Sequence, residues 1–421
     1  MSKLWGDMKH NVVRYLLVFL GLLAGYMLFA FVANLLPNEP IRKHASSTIV
    51  RQDLCNDYEY PILHKEPFRM DNFTDALIIN QACMGGSDSL LTSMLLMPRM
   101  DYGGWSQTES LRKMLEGDDA PHKTIYYPRY WHGSTLIMRF LLQMDDYTGL
   151  RVFFYLLSSL ILLWAVVAMG KTLGLWSAVL FLLSWLLCTV FVMQFSIQFL
   201  PVLLISLAAT LWVLYRVKTT SNMVMLLFVI GSLTAFFDLL TCPLITWGVP
   251  MCVYLLKKRE ELAQESLGKG ICGMACPSLL WALGYGGTWV SKWLIGSALT
   301  PCDVLHDGAS QFGLRSGVEA EFTRWDAVQH NLDLIGWPYV CVTAIVLIVL
   351  AVLFFNRQGI KASVLCAITA LGPFAWFIFA ADHTYLHNWF AFRTLVVFLM
   401  GLFFALGSLV DWNKIMKTNR R

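Results

Sequence analysis

The chain reads as an all-α polytopic membrane protein, and three observations carry that reading. Hydrophobic residues make up 57% of its 421 residues and the mean hydropathy is +0.57, too apolar for a soluble domain. Apolar stretches of about 20 residues, the length a helix needs to cross a bilayer, recur along it. Basic residues fall in alternate connections between those stretches, as the positive-inside rule requires.

The stretches lie near residues 13–36, 150–169, 174–194, 200–215, 222–240, 243–256, 270–290, 336–355, 362–381 and 394–412. They predict about ten transmembrane helices in a single transmembrane domain over residues 1–421. Lys3, Lys9 and Arg14 precede the first stretch. Lys171, Arg216 with Lys218, Lys257 to Arg259, Arg357 with Lys361, and Lys414, Lys417, Arg420 and Arg421 fall in alternate connections. Both termini are therefore expected in the cytoplasm. The first stretch is too long for a signal-peptide core, and Ala30-Phe31-Val32-Ala33 is a poor cleavage site, so it is read as retained. The opposite connections then face outward. They comprise a long polar loop at residues 37–149, tight turns near Gln194 to Phe199 and Thr241 to Pro243, a second long loop at residues 291–335, and Asp382 to Arg393.

The net charge of +4 is small and sits beside the apolar stretches, which argues against nucleic acid as a partner and for membrane lipids. The ten cysteines show no CxxC or zinc-ribbon spacing, and most read as small core residues. Cys55 and Cys83 share the first loop and would pair if it faced an oxidising compartment. No phosphate-cradling glycine loop, GxSxG elbow or Walker motif is present. Internal repeats with matched broken helices, the mark of many transporters, are missing as well.

The chemically capable side chains gather in the outward connections. Asp71 and Asp75, spaced i and i+4, share a face if Asn72 to Cys83 is helical, and Phe73, Leu77, Ile78 and Ala82 give that helix an apolar side to lay on the membrane surface. A carboxylate there suits general-base work, and two neighbours can split their pKa values or share a cation. The same pair also suits capping of the helix N-terminus. In Tyr126 to Gly133, Arg129, Tyr130, Trp131 and His132 fit either an interfacial aromatic belt or sugar stacking with phosphate pairing.

In the last outward loop, His383 and His387 stand at metal-ligand spacing without an accompanying HExxH glutamate, and Trp389 adds a stacking surface. Arg393 breaks the positive-inside pattern at the head of a stretch, where a guanidinium suits an anionic oxygen or snorkels to headgroups. Asp238 and Lys292 lie at outer helix ends, suited to ligand contact, capping or snorkelling. Arg315 and Arg324 are further basic residues of the second long loop. The sequon Asn72-Phe73-Thr74 is too short a match to weigh.

This layout resembles the GT-C superfamily of integral-membrane glycosyltransferases, through its large first outer loop with acidic residues on a helix, the many short-looped stretches that follow and a basic final outer loop. Tyr130-Trp131-His132-Gly133, Thr234 to Thr241 and His387 to Arg393 are also similar to stretches in bacterial membrane proteins of this type. The resemblance implies an inverting enzyme that moves a sugar from a polyprenyl-phosphate-linked donor to a glycan, glycolipid or protein acceptor, facing outward from a bacterial plasma membrane. It implies Asp75 or Asp71 as base and Arg393, Lys292 and Arg129 on the departing phosphate, where developing charge favours fixed cations. Tyr130, Trp131, His132, Asp238, His387 and Trp389 would contact sugar or acceptor. No cofactor is implied beyond an optional divalent cation. Two other readings stand beside it: a transporter or flippase of a lipid-linked or anionic solute, and a membrane acyltransferase or polymerase using His132, His383 or His387 as base.

Overall fold

The computed structural model describes residues 2–86, 89–317 and 322–418; Arg420 and Arg421 lie outside them. The chain opens with a long helix, α1 (Ser2–Leu35), whose Val12, Leu16, Leu20 and Leu28 are all at least half exposed, as expected of a face that meets lipid. There follow α2 (Asn38–Val50), α3 (Asn72–Met84), α4 (Leu90–Leu96), β1 (Pro98–Asp101), α5 (Gln107–Glu116), β2 (Lys123–Tyr126) and α6 (Gly133–Leu141). These seven elements make the first long loop an ordered cap. Its two strands pair antiparallel with Pro98 opposite Tyr126, an element the helical reading of the sequence did not contain.

The helical body comprises α7 (Tyr147–Leu173), α8 (Leu175–Leu187), α9 (Val190–Met193), α10 (Leu200–Tyr215), α11 (Thr220–Phe237), α12 (Ile245–Lys257), α13 (Arg259–Gln264) and α14 (Leu267–Leu299). It continues through α15 (Val304–Arg315), α16 (Arg324–Leu332), α17 (Trp337–Leu353), α18 (Ile360–Ala370), α19 (Gly372–Phe379), α20 (Ala381–Leu386), α21 (Asn388–Ala391), α22 (Val396–Ser408) and α23 (Trp412–Thr418). Among the described residues, five helical segments are long and apolar enough to cross a membrane, or up to six if α16 and α17, bent by 81°, count as one. The chain is thus an all-α membrane protein apart from its hairpin.

Several boundaries differ from the sequence expectation. The stretch at 174–194 divides because Thr189 adopts a left-handed φ of 53° between α8 and α9. At 13 residues α8 is about 20 Å long, short of a bilayer core of about 30 Å. The stretch at 270–290 proves to be the middle of α14, whose 33 residues extend about 50 Å. The second long loop therefore starts at Thr300 and not at Ser291.

α14 packs against α11 at very close range. A Cβ on Gly231 would come within 2.1 Å of the Trp281 carbonyl oxygen, and one on Gly284 within 2.2 Å of the Phe228 carbonyl oxygen. Each helix places a glycine against the other's backbone, as small residues do at helix crossings in membranes. α22 is the central helix of the body and packs on α8, α12, α17 and α18.

The connections separate into two ends. At one, Lys257 Nζ donates to the carbonyls of Val213, Leu214 and Val217, Lys258 Nζ to that of Lys218, and Lys361 Nζ to that of Ala263 at 2.9 Å. The basic connections thus meet each other, and their lysines cap helix C-termini as well as marking topology. At the other end the cap closes over the turns before α10 and α12 and the segment from α20 to the start of α22.

α3 departs from the surface helix expected of it. Eleven of its residues from Asn72 onward are buried, because its polar side chains find partners inside the cap. Asn80 both donates to the Met100 carbonyl and accepts from the Met100 amide, each at 2.9 Å, and Gln81 accepts from Thr135 at 3.1 Å. With eleven of its thirteen residues buried, the helix has no face left to lay on a bilayer. Cys55 and Cys83 are both free, one exposed and one buried, so the disulfide considered between them is not formed.

Candidate functional site

The two aspartates of α3 have different surroundings. Asp75 is fully buried and its carboxylate accepts from the Tyr147 hydroxyl, from Ser196 Oγ at 2.9 Å, from the Ile197 amide at 3.1 Å and from the Gln198 amide at 3.0 Å. Arg151 lies 4.0 Å away and also pairs with Asp53. Burial raises the Asp75 pKa and these partners pull against the rise. With both oxygens taken by donors, Asp75 ties α3 to α7 and to the turn before α10, and it offers no lone pair to an incoming hydroxyl.

Asp71 is the N-cap of α3. It accepts from the Thr74 amide at 3.0 Å, and Thr74 is its one hydrogen-bonding partner among the described residues. Burial pushes its pKa up to about 7, with Thr74 lowering it, Asp75 raising it further and Arg69 lowering it. A carboxyl poised there exchanges a proton readily near neutral pH.

Arg69 and Arg393 share this neighbourhood. The Arg69 guanidinium lies 3.6 Å from the centre of the Tyr58 ring and 4.4 Å from that of Trp389, while Nη1 pairs with Glu66 at 3.1 Å. Arg393 is fully buried and donates to the carbonyls of Trp389 at 3.0 Å, Pro67 at 3.2 Å and Arg69 at 3.4 Å. Among the described residues it meets backbone carbonyls and forms no ion pair. Both arginines keep a buried Nε with no partner. Thr189 Oγ1 also donates to the Pro67 carbonyl, at 2.9 Å, which explains why the chain holds a β-branched residue in its strained left-handed turn.

The turn after α11 is locked to the final loop. Asp238 accepts from the Thr241 amide at 3.1 Å and from its hydroxyl. Burial raises the Asp238 pKa to about 7. Leu240 sits at φ 70°, and its carbonyl meets His383 Nε2 at 2.6 Å. His383 thereby spends one nitrogen on the fold, and among the described residues no group of three or more His, Cys, Asp and Glu could hold a metal. His387 is different: it is exposed, stacks on Phe390 at 5.2 Å, and is held down to a pKa of about 4 by its crowded recess and by Arg315 and Arg69. It is neutral at pH 7, and the charges of Arg315 and Arg69 both act on it.

Beyond Arg315 a cavity of about 500 Å³ runs between α14, α15 and α19. Arg129 and Arg315 line it together with Trp281, Tyr285, Trp289 and Phe312. The Tyr285 hydroxyl and the Trp289 and Trp376 indole nitrogens line it without partners. Arg129 pairs with Asp307 at 3.3 Å, and Arg315 donates to the Tyr130 hydroxyl.

The remaining sequence candidates point elsewhere. Trp131 is sealed among Tyr26, Phe236 and Lys292 and donates to the Thr288 carbonyl at 2.7 Å. Lys292 is buried against the Leu95 carbonyl. His132 is buried with a ring nitrogen 2.7 Å from the Tyr127 carbonyl, its pKa held down to about 3 by desolvation. Trp131 and Lys292 hold the cap to α14, His132 stays within the cap, and none of the three lines the cavity.

Sequence reasoning passed over Arg69, whose place depends on Tyr58 and Trp389 far away in the chain. It also passed over Arg139, which is buried and donates to the Ala33 carbonyl at 2.7 Å, the Leu36 carbonyl at 2.7 Å, Asn38 Oδ1 at 2.9 Å and the Ala82 carbonyl. An arginine in a short helix of a polar loop carries no local signal of such a role. No protein-family model, curated protein or solved structure matches the chain.

Proposed function

We propose that the protein is a membrane glycosyltransferase of the GT-C type, taking a sugar from a polyprenyl-phosphate-linked donor at the membrane face that holds the cap. The observation that carries this reading is an apolar aromatic cavity with Arg315 and Arg129 in its lining. The charges of Arg315 and Arg69 both act on His387, and that of Arg69 acts on Asp71, whose pKa is raised to about 7. In this reading the lipid chain lies in the cavity, the phosphate meets Arg315 and Arg129, the sugar passes His387 and Trp389, and Asp71 takes the acceptor's proton. Cations fixed beside the leaving phosphate favour the transition state as charge builds there.

The basic end is then cytoplasmic, the cap faces outward from a plasma membrane of bacterial type, and α14 and the shorter segments α8 with α9, α10 and α12 complete a set of about ten spans. The acceptor is a glycan, glycolipid or protein hydroxyl. His387, exposed where His132 and His383 are buried, supports a second reading in which it is the base of a different membrane transferase. Membranes carrying the protein are to be incubated with undecaprenyl-phosphate-linked pentoses and hexoses, and sugar release followed for the native chain, Asp71→Asn and His387→Ala. Turnover lost in Asp71→Asn and kept in His387→Ala supports the first reading; the reverse pattern supports the second. Lipid movement across vesicles with no turnover would replace both with transport.

A further inference from the structure

At the basic end, away from Asp71 and the aromatic cavity, a groove of about 910 Å³ opens between α8 and α17. Its walls include Val179, Val342 and Val346, which are 54%, 62% and 51% exposed, so they belong to the apolar surface that meets lipid. The groove is therefore entered from the bilayer and not from water. At its polar end stand Arg259, Glu260, Asp411 and two tryptophans, Trp176 and Trp412, whose rings stack 5.3 Å apart at an interplanar angle of 5°.

The charges at this end are unusual for a face rich in lysine. Arg259 lies 6.0 Å from the Trp176 ring and forms no ion pair among the described residues. Glu260 is exposed and has no ion-pair partner there either. Asp411 caps α23 by accepting from the Lys414 amide at 3.1 Å, which leaves its negative charge facing the groove end. One guanidinium and two carboxylates thus line the same groove.

We infer that this groove is a binding site for a phospholipid with an ethanolamine headgroup, drawn from the leaflet at the basic face. The phosphate pairs with Arg259, the primary ammonium donates to Glu260 and Asp411, and an acyl chain lies along Val179, Val342 and Val346. The complementarity is what selects this class. An anionic headgroup with no ammonium would set its charge beside two carboxylates, and a quaternary ammonium has no N–H to donate to them. Trp176 and Trp412 mark the depth at which such a headgroup lies. The bound lipid would join α8, α17 and the C-terminal segment, elements that here meet across a groove. The inference requires that the protein sits in a membrane but does not depend on glycosyl transfer.

The full chain, purified and stripped of lipid in detergent, is to be titrated in turn with phosphatidylethanolamine, phosphatidylcholine and phosphatidylglycerol. Thermal unfolding and native mass spectrometry report binding. Phosphatidylethanolamine is expected to raise the Tm by several degrees at a concentration where the other two do not, and to remain bound in the gas phase. Arg259→Ala should abolish the shift, and so should Val346→Trp, which fills the groove from an exposed wall position and leaves the lipid-free Tm unchanged. Equal or greater stabilisation by phosphatidylglycerol would overturn the assignment. So would a phosphatidylethanolamine shift that survives in Val346→Trp, whether or not Arg259→Ala folds.

Discussion

Arg393 donates to the carbonyl of Pro67 at 3.2 Å, joining the start of the last long helix to the cap across most of the chain. The bond reaches a carbonyl that Thr189 also holds, so three distant segments meet at one oxygen. Replacing Arg393 with lysine removes the fork that reaches the carbonyls of Pro67, Arg69 and Trp389 together. Arg393→Lys is expected to lower stability by about 2–3 kcal/mol, seen as an earlier unfolding transition in detergent. Unchanged unfolding with weakened donor use would instead make Arg393 a phosphate ligand.

Asp71 and Asp75 should separate cleanly on mutation. Asparagine caps helices about as well as aspartate, so Asp71→Asn should unfold near the native temperature while sugar release falls by about 10²-fold or more. Asp75→Asn points an amide group at donors and is expected to cost about 2–4 kcal/mol, read as poor expression and early unfolding. Two folded and active variants would remove the aspartates from the chemistry.

The pH dependence follows from the raised pKa values of Asp71 and Asp238, both about 7. The folded protein binds protons that the unfolded chain has lost above about pH 4. Their contribution to stability is therefore full below about pH 4 and declines as pH rises towards 7. Asp71→Asn and Asp238→Asn should each flatten part of that decline in Tm measured against pH. Turnover should show the opposite trend, rising through about pH 7 as the Asp71 base deprotonates, and that limb should vanish with Asp71→Asn.

Filling the aromatic cavity tests its role without touching a charge. Ala282 lines it from an exposed position on α14. Ala282→Trp is expected to raise the KM for a lipid-linked donor at least tenfold, with the Tm unchanged. An unaffected KM would move the lipid chain out of the cavity.

How much of this was legible in the sequence varies by element. Long apolar runs located α1, α7, α11 and α22 well, because lipid-facing and core-facing helices share one simple signal. α14 was legible only in its middle, since its ends carry Lys269, Gly268, Lys292 and Ser297 and read as loop. The strand pair was hidden because Arg99 and Asp101 interrupt any apolar alternation. At the site, Asp71, His387, Trp389 and Arg393 were legible as a polar set, but the division of labour between Asp71 and Asp75 was not. It is decided by Tyr147 and the backbone from Ser196 to Gln198, which no local pattern connects to α3. Trp131 and Lys292 looked like ligand contacts because interior packing partners and sugar-binding groups are the same residue types.

The reciprocal glycines at Gly231 and Gly284 have a consequence for motion. Where two backbones touch with no side chain between them, the helices can swivel slightly about the contact but cannot slip past each other by a turn without a collision. α11 and α14 form a fixed post, and one wall of the aromatic cavity is built on it. Any room made for an occupant then falls to its opposite bank, α15 and α19.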